Sequence, residues 1–292
     1  MTSPELDGIL PVDKPIGPTS HDVVAAARRA LRQRRVGHTG TLDPFASGLL
    51  LLCLGRATRI TEYLGSLPKS YTAVIRFGIA TDTDDPTGTT TATSERWRDL
   101  ADTEVATALE RQQGLRLQRP PAFSAKKQAG QRLYERARRG EAVLPKPVEV
   151  MIHSIRLLAW DPPLASFETT CASGTYIRAI ARDAGDDLGV PAHLAELRRT
   201  AIGSWHVSRA LGMGDLGPER AAAALTPSLA ALSHLPSAEL DAVALEHVRH
   251  GRAVDVALPD SPAAALGQAG LLVAIARVEH GRAHPRKVFS DA

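Results

Sequence analysis

The chain has 292 residues, of which 43% are hydrophobic and 4% aromatic, and it carries 35 Lys and Arg against 32 Asp and Glu. This length and composition predict one large globular domain, or one large and one small domain, around a mostly aliphatic core. No window of about 18 apolar residues and no N-terminal signal pattern occurs, so a membrane-spanning helix and a secreted precursor are disfavoured and a cytoplasmic protein is expected.

The first half of the chain predicts a mixture of strands and helices. Strands are expected over Gly8–Val12, Leu49–Leu54 and Tyr71–Phe77. Helices are expected after the N-cap candidates Thr19 and Ser20, and over Ala57–Leu64 and Glu104–Gln112. The segment Thr81–Thr93 is rich in Thr, Asp and Gly and is predicted to be an exposed loop.

The second half continues with elements in uneven groups. A basic loop over Pro120–Gly130 is expected to lead into a helix over Gln131–Arg139. Further strands are expected over Val148–Leu158 and Ser166–Cys171, and further helices over Thr175–Leu188 and Ala192–Arg199. A linker is expected over Gly212–Pro236, before a small β-rich module with strands near Val254–Ala257 and Leu271–Arg277. This grouping predicts an α+β fold and not an alternating βαβ fold.

Positive charge is concentrated in the first half of the chain. Residues 1–150 hold 22 Lys and Arg against 17 Asp and Glu, whereas residues 151–292 hold 13 against 15. Two basic clusters stand out, Arg28–Arg35 and Lys126–Arg139. A polyanion would suit such patches, but two solvated helix faces would give the same pattern, so charge alone leaves both interpretations open.

The two cysteines, Cys53 and Cys171, lie far apart in apolar, strand-like runs. We expect two buried free thiols, because a reducing compartment disfavours a disulfide. No Cys/His cluster has the spacing of a zinc site.

The segment Val36–Leu50 places one carboxylate, Asp43, between a glycine-rich loop and a hydrophobic run. Its glycines free the backbone to turn and to approach a ligand, and Pro44 fixes φ directly after Asp43. The sequence therefore predicts a carboxylate on a rigid turn at the mouth of a strand, where it can be aimed at a substrate. The alternative is an ordinary Asp-Pro turn whose carboxylate caps its own backbone.

Four other segments accompany this turn: Asp13–Ser20, Lys69–Tyr71, Ser124–Lys127 and Ser173–Arg178. Each has an ordinary structural interpretation by itself, such as a surface lysine or a glycine turn that enters a helix. In this order and spacing, together with the Asp43 turn, they closely resemble the TruB family of tRNA pseudouridine synthases. The resemblance runs from about residue 8 to about residue 203.

The resemblance implies the pseudouridine-synthase fold, with a mixed, mostly antiparallel central sheet flanked by helices and loops. A catalytic domain over residues 1–230 would carry a basic RNA-contacting insertion at about 120–147. Residues 236–292 resemble a shortened PUA-type RNA-binding domain through Gly251–Val254 and Leu272–Ile275. This small module is interpreted as an RNA contact, with a structural cap as the alternative.

The resemblance also implies a reaction. Members convert uridine 55 in the TΨC loop of tRNA to pseudouridine, and they need no metal and no organic cofactor. The implied partner is therefore the T-arm stem-loop of tRNA, with no membrane association and no obligatory protein partner, and a monomer is expected. A uracil inside the folded tRNA is inaccessible, so the base must be flipped out and held by stacking.

Individual residues match functional positions of the family. Asp43 matches the catalytic aspartate and Arg178 the arginine that pairs with it. Tyr71 matches the tyrosine that packs on the target base, and its hydroxyl could remove the final proton. The other matched substrate-binding positions are His38, Tyr176, Leu197 and Lys14, the last as support for the active-site loop.

The basic insertion supplies candidate contacts to the RNA backbone, namely Lys127, Arg132, Arg136 and Arg139. The family motif there has Ser-Ala, an apolar residue and then Lys. Here Lys126 occupies the apolar place, so Lys127 is the equivalent lysine.

Two other functions remain as alternatives. A tRNA-binding protein or chaperone without catalysis would keep the basic clusters but would not need Asp43. A guide-dependent pseudouridine synthase subunit would share the catalytic motifs but need partner proteins. A base deaminase fits poorly because its His-x-Glu and Pro-Cys-x-x-Cys signature is absent. Whether Asp43 acts covalently or removes a sugar proton is left open.

Overall fold

The computed structural model describes residues 5–121, 127–128, 131–132 and 145–289. Its strands up to residue 212 are β1 (Gly8–Lys14), β2 (Val36–His38), β3 (Ser47–Leu54), β4 (Lys69–Phe77), β5 (Ile79–Thr81), β6 (Thr90–Thr93), β7 (Gly114–Gln118), β8 (Lys127–Gln128), β9 (Gln131–Arg132), β10 (Val148–Asp161), β11 (Leu164–Cys171), β12 (Ala192–Ile202), β13 (Trp205–His206) and β14 (Leu211–Gly212). The strands after it are β15 (Ser237–Glu239), β16 (Val254–Asp255), β17 (Ser261–Gln268), β18 (Leu271–Glu279) and β19 (Arg282–Val288).

The α-helices lie on and between these strands. They are α1 (Ser20–Ala30), α2 (Thr61–Gly65), α3 (Asp102–Glu110), α4 (Ile177–Leu188), α5 (Pro218–Ala224), α6 (Ser228–Ala231) and α7 (Ala242–Arg249). Short 3-10 turns cover Gly55–Ile60, Arg96–Asp99, Val207–Arg209 and Met213–Asp215. No helix in the described part of the chain is long and apolar enough to cross a membrane.

A ten-stranded sheet forms the centre of the molecule. Its order is β14-β1-β3-β12-β4-β11-β10-β7, with β2 added beside β3 and β13 beside β12. Only the β1–β14 and β3–β12 pairs are parallel among these described strands. The predicted mixed, mostly antiparallel sheet is therefore confirmed, as is the α+β grouping.

Local signals explain the first helix and the strand that follows it. The Thr19 hydroxyl accepts a hydrogen bond from Asp22 N (3.1 Å), while the Asp22 carboxylate accepts one from Thr19 N (2.8 Å), which completes a capping box. Strand β3 is apolar and buried from Gly48 to Leu54, because it lies inside the sheet with both faces covered. Both cysteines are buried and free, as predicted.

The predicted helix over Ala192–Arg199 is wrong, because this segment forms strand β12 between β3 and β4. The pairing with β4 shifts register between Leu194 and Glu196. Such a bulge inserts one residue, so Leu194 and Leu197 both point into the same core. The resulting three-residue spacing of buried positions imitates the period of a helix.

Three further expectations need correction. The segment Thr81–Thr93 is partly a hairpin of β5 and β6, and Asp85 within it is buried. The expected linker Gly212–Pro236 contains α5 and α6, which pack against the sheet through the fully buried Ala221 and Ala231. Residues 131–132 form strand β9 instead of starting a helix, and the rest of that expected helix lies outside the described residues.

The last five strands form a separate sheet in the order β15-β17-β18-β19-β16. Apolar residues of this sheet share one buried cluster with β1 and β3. Arg59 donates a hydrogen bond to Val288 O (2.7 Å), and Lys287 Nζ donates to Arg59 O (2.7 Å) and lies 3.0 Å from the Glu62 carboxylate. The small module is therefore attached to the 3-10 turn Gly55–Ile60 and to the start of α2.

Candidate active site

A cleft of about 280 Å³ opens on the large sheet. Its walls come from the loop between β2 and β3, the end of α2, the start of β4, the turn between β11 and α4, and β12. The lining residues are Thr39, Gly40, Thr41, Leu42, Asp43, Gly65, Lys69, Tyr71, Ala172, Ser173, Gly174, Thr175, Tyr176, Ile177, Arg178, Leu197 and Arg199. Segments far apart in sequence therefore converge on one cavity.

The loop that carries Asp43 is held from two sides. The Ser20 hydroxyl accepts a hydrogen bond from Leu42 N (2.9 Å) and lies 3.1 Å from Leu42 O, so the start of α1 clasps the residue before Asp43. Gly17 N donates to Pro44 O (2.8 Å) on the other side. Gly48, at φ 110°, lets β12 approach so closely that a Cβ there would lie 2.2 Å from Arg199 O. The predicted turn is confirmed, and these contacts hold it on both sides.

A buried arginine in the wall of the cleft joins two carboxylates. Arg178 Nε lies 3.1 Å from Asp43 Oδ2, and Arg178 Nη1 lies 2.9 Å from Asp85 Oδ2. The side chains of Arg178 and Asp85 are each 6% exposed, whereas that of Asp43 is 34% exposed. Asp43 is therefore the end of the network that faces the cavity.

Asp85 is itself fixed by its own turn. Its carboxylate accepts hydrogen bonds from the Thr83 hydroxyl (2.7 Å), Thr87 N (3.0 Å) and the Thr87 hydroxyl (2.5 Å). Arg178 Nη1 also donates to Thr83 O (2.9 Å). Because each buried charge has several polar partners, Arg178 is anchored in one orientation toward Asp43.

Opposing influences act on the ionisation of Asp43. Burial raises the pKa of this carboxyl above its ordinary value, and the negative charge of Asp85 acts in the same direction. The positive charges of Arg178, Lys14 and Arg199 oppose that rise. Lys14 is fully buried, its Nζ donates to Pro15 O (2.9 Å) and Pro18 O (3.0 Å), and burial lowers its pKa to about 8.

The structure brings most of the expected site residues together. Asp43, Tyr71, Tyr176, Arg178 and Leu197 all line the cleft. Tyr71 lies in β4 and is almost fully buried, which raises the pKa of its hydroxyl. The Tyr176 backbone is held on both sides by the buried Gln118, at 2.8 Å from Tyr176 N to Oε1 and 3.1 Å from Nε2 to Tyr176 O.

Two expected substrate-binding residues lie beside the cleft and not in its wall. Lys14 sits behind the Asp43 loop. His38 stands edge-on to His21, with ring centroids 5.5 Å apart, and burial lowers the pKa of its imidazole. The candidate RNA contacts Lys127, Arg132, Arg136 and Arg139 lie in a segment whose side chains are outside the described part of the structure.

Sequence reasoning missed three charged residues of the site: Asp85, Lys69 and Arg199. Lys69 lines the cleft, its Nζ donates to Gly65 O (2.8 Å) and Leu67 O (2.8 Å), and burial lowers its pKa to about 8. Asp85 belongs to the run Asp82–Pro86, which has the composition of a solvated turn, and nothing local distinguishes it from Asp82 or Asp84. A buried charge needs charged or polar partners. The only available signal was that Arg178, matched to the arginine that pairs with the catalytic aspartate, can bind more than one carboxylate. The predicted helix over Ala192–Arg199 gives no pairing between Arg199 and Tyr71, whereas strand β12 places them opposite each other.

The Asp85→Asn variant is expected to destabilise the chain by about 3 kcal/mol, because it breaks a buried ion pair. Arg178 loses its anchor, so the turnover rate should fall at every pH. Removing the Asp85 charge also lowers the pKa of Asp43, so the acid limb of the pH–rate profile should move to lower pH. Thermal unfolding and single-turnover rates against pH measure these effects. The control Asp84→Asn breaks the neighbouring pair with Arg182 (2.9 Å). An equal shift of the acid limb in both variants would contradict the prediction.

Comparison with known proteins decides the family. The family profile described as "TruB family pseudouridylate synthase (N terminal domain)" matches residues 28–177. A tRNA pseudouridine synthase B of Symbiobacterium thermophilum is 44% identical over 250 residues, which cover 85% of this chain and 83% of that protein. The chain belongs to the TruB family. The enzyme of the same name from Thermobifida fusca is 41% identical over 98% of this chain and 99% of that protein.

Solved structures agree with this assignment at the level of the fold. A Cbf5–Nop10–Gar1 complex contains a chain that is 26% identical, with a TM-score of 0.74 over 97% of this chain and 85% of that chain. An H/ACA RNP bound to a substrate RNA containing 2′-deoxyuridine contains one that is 23% identical, with a TM-score of 0.75 over the same shares. The predicted pseudouridine-synthase fold is confirmed. Because these matches cover 97% of this chain, they include strands of the second sheet as well as the large sheet.

Proposed function

We propose that this TruB-family chain converts uridine 55 in the T arm of tRNA to pseudouridine. The observation that carries the proposal is the partly exposed Asp43 carboxylate, held by the buried Arg178–Asp85 pair at the edge of a cleft that Tyr71 also lines. A non-catalytic RNA-binding protein has no need of a carboxylate paired with a buried arginine at the edge of a cleft. The name shared by its relatives supports tRNA as the substrate.

The reaction requires no external oxidant or co-reactant. The N1–C1′ bond of uridine breaks, the uracil rotates and a C5–C1′ bond forms. The C5 proton then leaves and N1 takes up a proton, so product and substrate are isomers. Asp43 serves either as the nucleophile on the detached sugar or base, or as the base that takes a sugar proton, and both roles need the ionised carboxylate. The charge of Arg178 favours that ionised form.

The cleft suits a single nucleotide. Its volume of about 280 Å³ is near the lower limit of ligand pockets, roughly 300 Å³. A paired or stacked base cannot enter it, so the target uridine must be flipped out of the tRNA. Tyr71 and Leu197 then supply aromatic and aliphatic walls for the uracil, and Tyr176 supplies a second aromatic lining residue. His38 and Lys14 act beside the cleft as supports for the loop and the displaced RNA.

The RNA backbone is proposed to follow the end of α1. The arginines there, all exposed, are Arg28, Arg29, Arg32, Arg34 and Arg35. This cluster leads into β2, whose end joins the Thr39 wall of the cleft. Lys127, Arg132, Arg136 and Arg139 of the insertion are proposed to contact the phosphates as well, as a second basic surface. Residues 236–292 are proposed to form a shortened PUA-like unit beside a catalytic unit of residues 1–230.

Replacing Arg29, Arg34 and Arg35 together by Ala is expected to weaken tRNA binding and flatten its salt dependence. Each lost phosphate contact should reduce the slope of log affinity against log salt by about 0.7 to 0.9. Binding titrations at several salt concentrations measure this slope. The control Arg156→Ala removes an arginine already paired with Glu168 at 2.7 Å and should leave the slope unchanged. An unaltered slope in this variant would show that the α1 cluster is only a solvated face.

A second variant, with Arg132, Arg136 and Arg139 replaced together by Ala, tests the insertion in the same way.

The proposed function is tested by incubating the purified chain with unmodified tRNA and mapping pseudouridine. Formation at position 55, and none in a tRNA with cytidine at that position, is the expected result. Activity of the chain alone also supports an enzyme that acts by itself over a subunit that needs a guide RNA and partner proteins. Binding without any pseudouridine would favour a non-catalytic tRNA-binding protein.

A further inference from the structure

Among the residues that the structure describes, Arg199 is the largest side chain that is completely enclosed, with 1% of its surface exposed. It lies in β12, next to the parallel strand β3. Its guanidinium donates hydrogen bonds to three main-chain carbonyls: Nε to Leu49 O (2.7 Å), Nη2 to Gly40 O (3.2 Å) and Nη1 to Thr41 O (3.4 Å). Two of these carbonyls belong to the loop that leads to Asp43.

The direct polar partners of this cation are unusual for a buried charge. Among the described residues, no carboxylate oxygen lies within 4.0 Å of the Arg199 guanidinium. A buried cation without a paired anion is costly unless dipoles compensate it, and here carbonyl dipoles do so. The positive charge therefore remains available to act on other groups near the cleft.

Tyr71 is the first such group. It lies directly opposite Arg199 in the antiparallel β4–β12 register, so both side chains emerge on the same face of the sheet. Both residues line the cleft. The guanidinium can only donate hydrogen bonds, so any hydrogen bond from it to the phenol oxygen leaves the phenol proton directed elsewhere.

We propose that Arg199 is a positioning residue for the reaction: its guanidinium fixes the main chain before Asp43 and orients the Tyr71 hydroxyl across the same cleft. This inference rests on the proposed function, since it assigns a role within that reaction. It differs from the role of Arg178, which touches the Asp43 carboxylate itself. Arg199 acts through the loop and through the phenol.

The electrostatic surroundings are consistent with this role. Asp43 faces Arg178, Asp85, Lys14 and Arg199, and Arg199 is one of the charges that oppose the rise of its pKa. Tyr71 faces Arg199, Cys171 and Asp43, and Arg199 likewise opposes the rise in the pKa of the phenol. Loss of the Arg199 charge should therefore raise the pKa of both groups.

The test compares Arg199→Lys and Arg199→Met with the matched control Arg198→Lys. Lys keeps the charge but cannot span three carbonyls, whereas Met removes the charge as well. Arg198 is the adjacent arginine in β12, and its guanidinium instead pairs with Asp13 at 2.7 Å. Single-turnover rates on unmodified tRNA, tRNA affinity, thermal unfolding and the pH–rate profile are measured for each variant.

Arg199→Lys is expected to slow the single-turnover step about 100-fold, the usual cost of a misplaced reacting group, with little change in tRNA affinity. The acid limb of the pH–rate profile of Arg199→Lys should coincide with that of the wild-type chain, because the charge is kept. The acid limb of Arg199→Met should move to higher pH. If Arg199→Met does not fold, the rate of the Lys variant still decides the question. A Lys variant as fast as wild type, or a loss equal to that of Arg198→Lys, would overturn the inference. Failure of the wild-type chain to form pseudouridine would instead overturn the proposed function.

Discussion

The Asp43→Asn variant is expected to form no detectable pseudouridine while it still binds tRNA. The amide matches the carboxylate in size, so the loop held by Ser20 and Gly17 should keep its shape. It cannot serve as nucleophile or base, and losses for such groups reach at least about 1,000-fold. Arg178 stays anchored on Asp85, so the fold should persist. Pseudouridine mapping and tRNA binding, measured on the same preparation, separate the two properties.

A matched control exists for this variant. Asp13 is 31% exposed and pairs with Arg198 at 2.7 Å, so Asp13→Asn removes a similarly exposed, arginine-paired carboxylate that does not line the cleft. It should retain turnover. In the wild-type chain the rate should fall on acidification at a higher pH than an ordinary carboxyl would produce, because burial raises the pKa of Asp43. Near-normal turnover by Asp43→Asn would remove this residue from the chemistry.

Tyr71→Phe is expected to bind tRNA normally and to react about 100-fold more slowly or worse, since it keeps the ring and loses a hydroxyl proposed to assist the last proton transfer. Tyr71→Leu loses the ring too and should further weaken capture of the flipped uridine by roughly 1–3 kcal/mol. Single-turnover rates at saturating protein separate the chemical step from capture.

The control for these two variants is Tyr63→Phe, which removes a hydroxyl from a tyrosine in α2 that contacts Lys287 and does not line the cleft. It should react like wild type. A Tyr71→Phe variant that is equally fast would leave Tyr71 as a stacking surface only. Equal capture by the Phe and Leu variants would instead show that the ring contributes nothing to binding.

The parts of the site that sequence could predict are those carried by a single local pattern. The Asp43 turn combines glycines, a proline and a following apolar strand, and each of these constrains the backbone by itself. The Arg178–Asp85 pair joins residues 93 positions apart, and Arg199 reaches Leu49 over 150 positions. No local pattern records such partners, because they are created only when β12, α4 and the β5–β6 hairpin meet.

The same reason explains the errors in the fold. Strands with simple alternation, such as β4 and β11, were predicted within a few residues of their observed ends. In β12, Ala, Leu, Glu and Arg all favour a helix, and a bulge gives the buried positions a three-residue spacing. Pairing on both edges with β3 and β4 outweighs that preference, since an intrinsic propensity amounts to less than about 1 kcal/mol per residue.

The order of strands in the large sheet has a consequence for synthesis on the ribosome. Strand β1 pairs with β14 at Val12–Leu211, Ile9 bridges to Thr226, and Arg59 reaches Val288, 229 positions later in the chain. Strands β1, β2 and β3 can pair with one another early, but the outer partners of β1 and β3, which are β14 and β12, emerge from the ribosome much later. Folding dominated by such distant contacts is slow, and apolar strands are prone to aggregate until their partner strands have been synthesised. We expect the nascent chain to reach its native sheet only after most of its length has been translated.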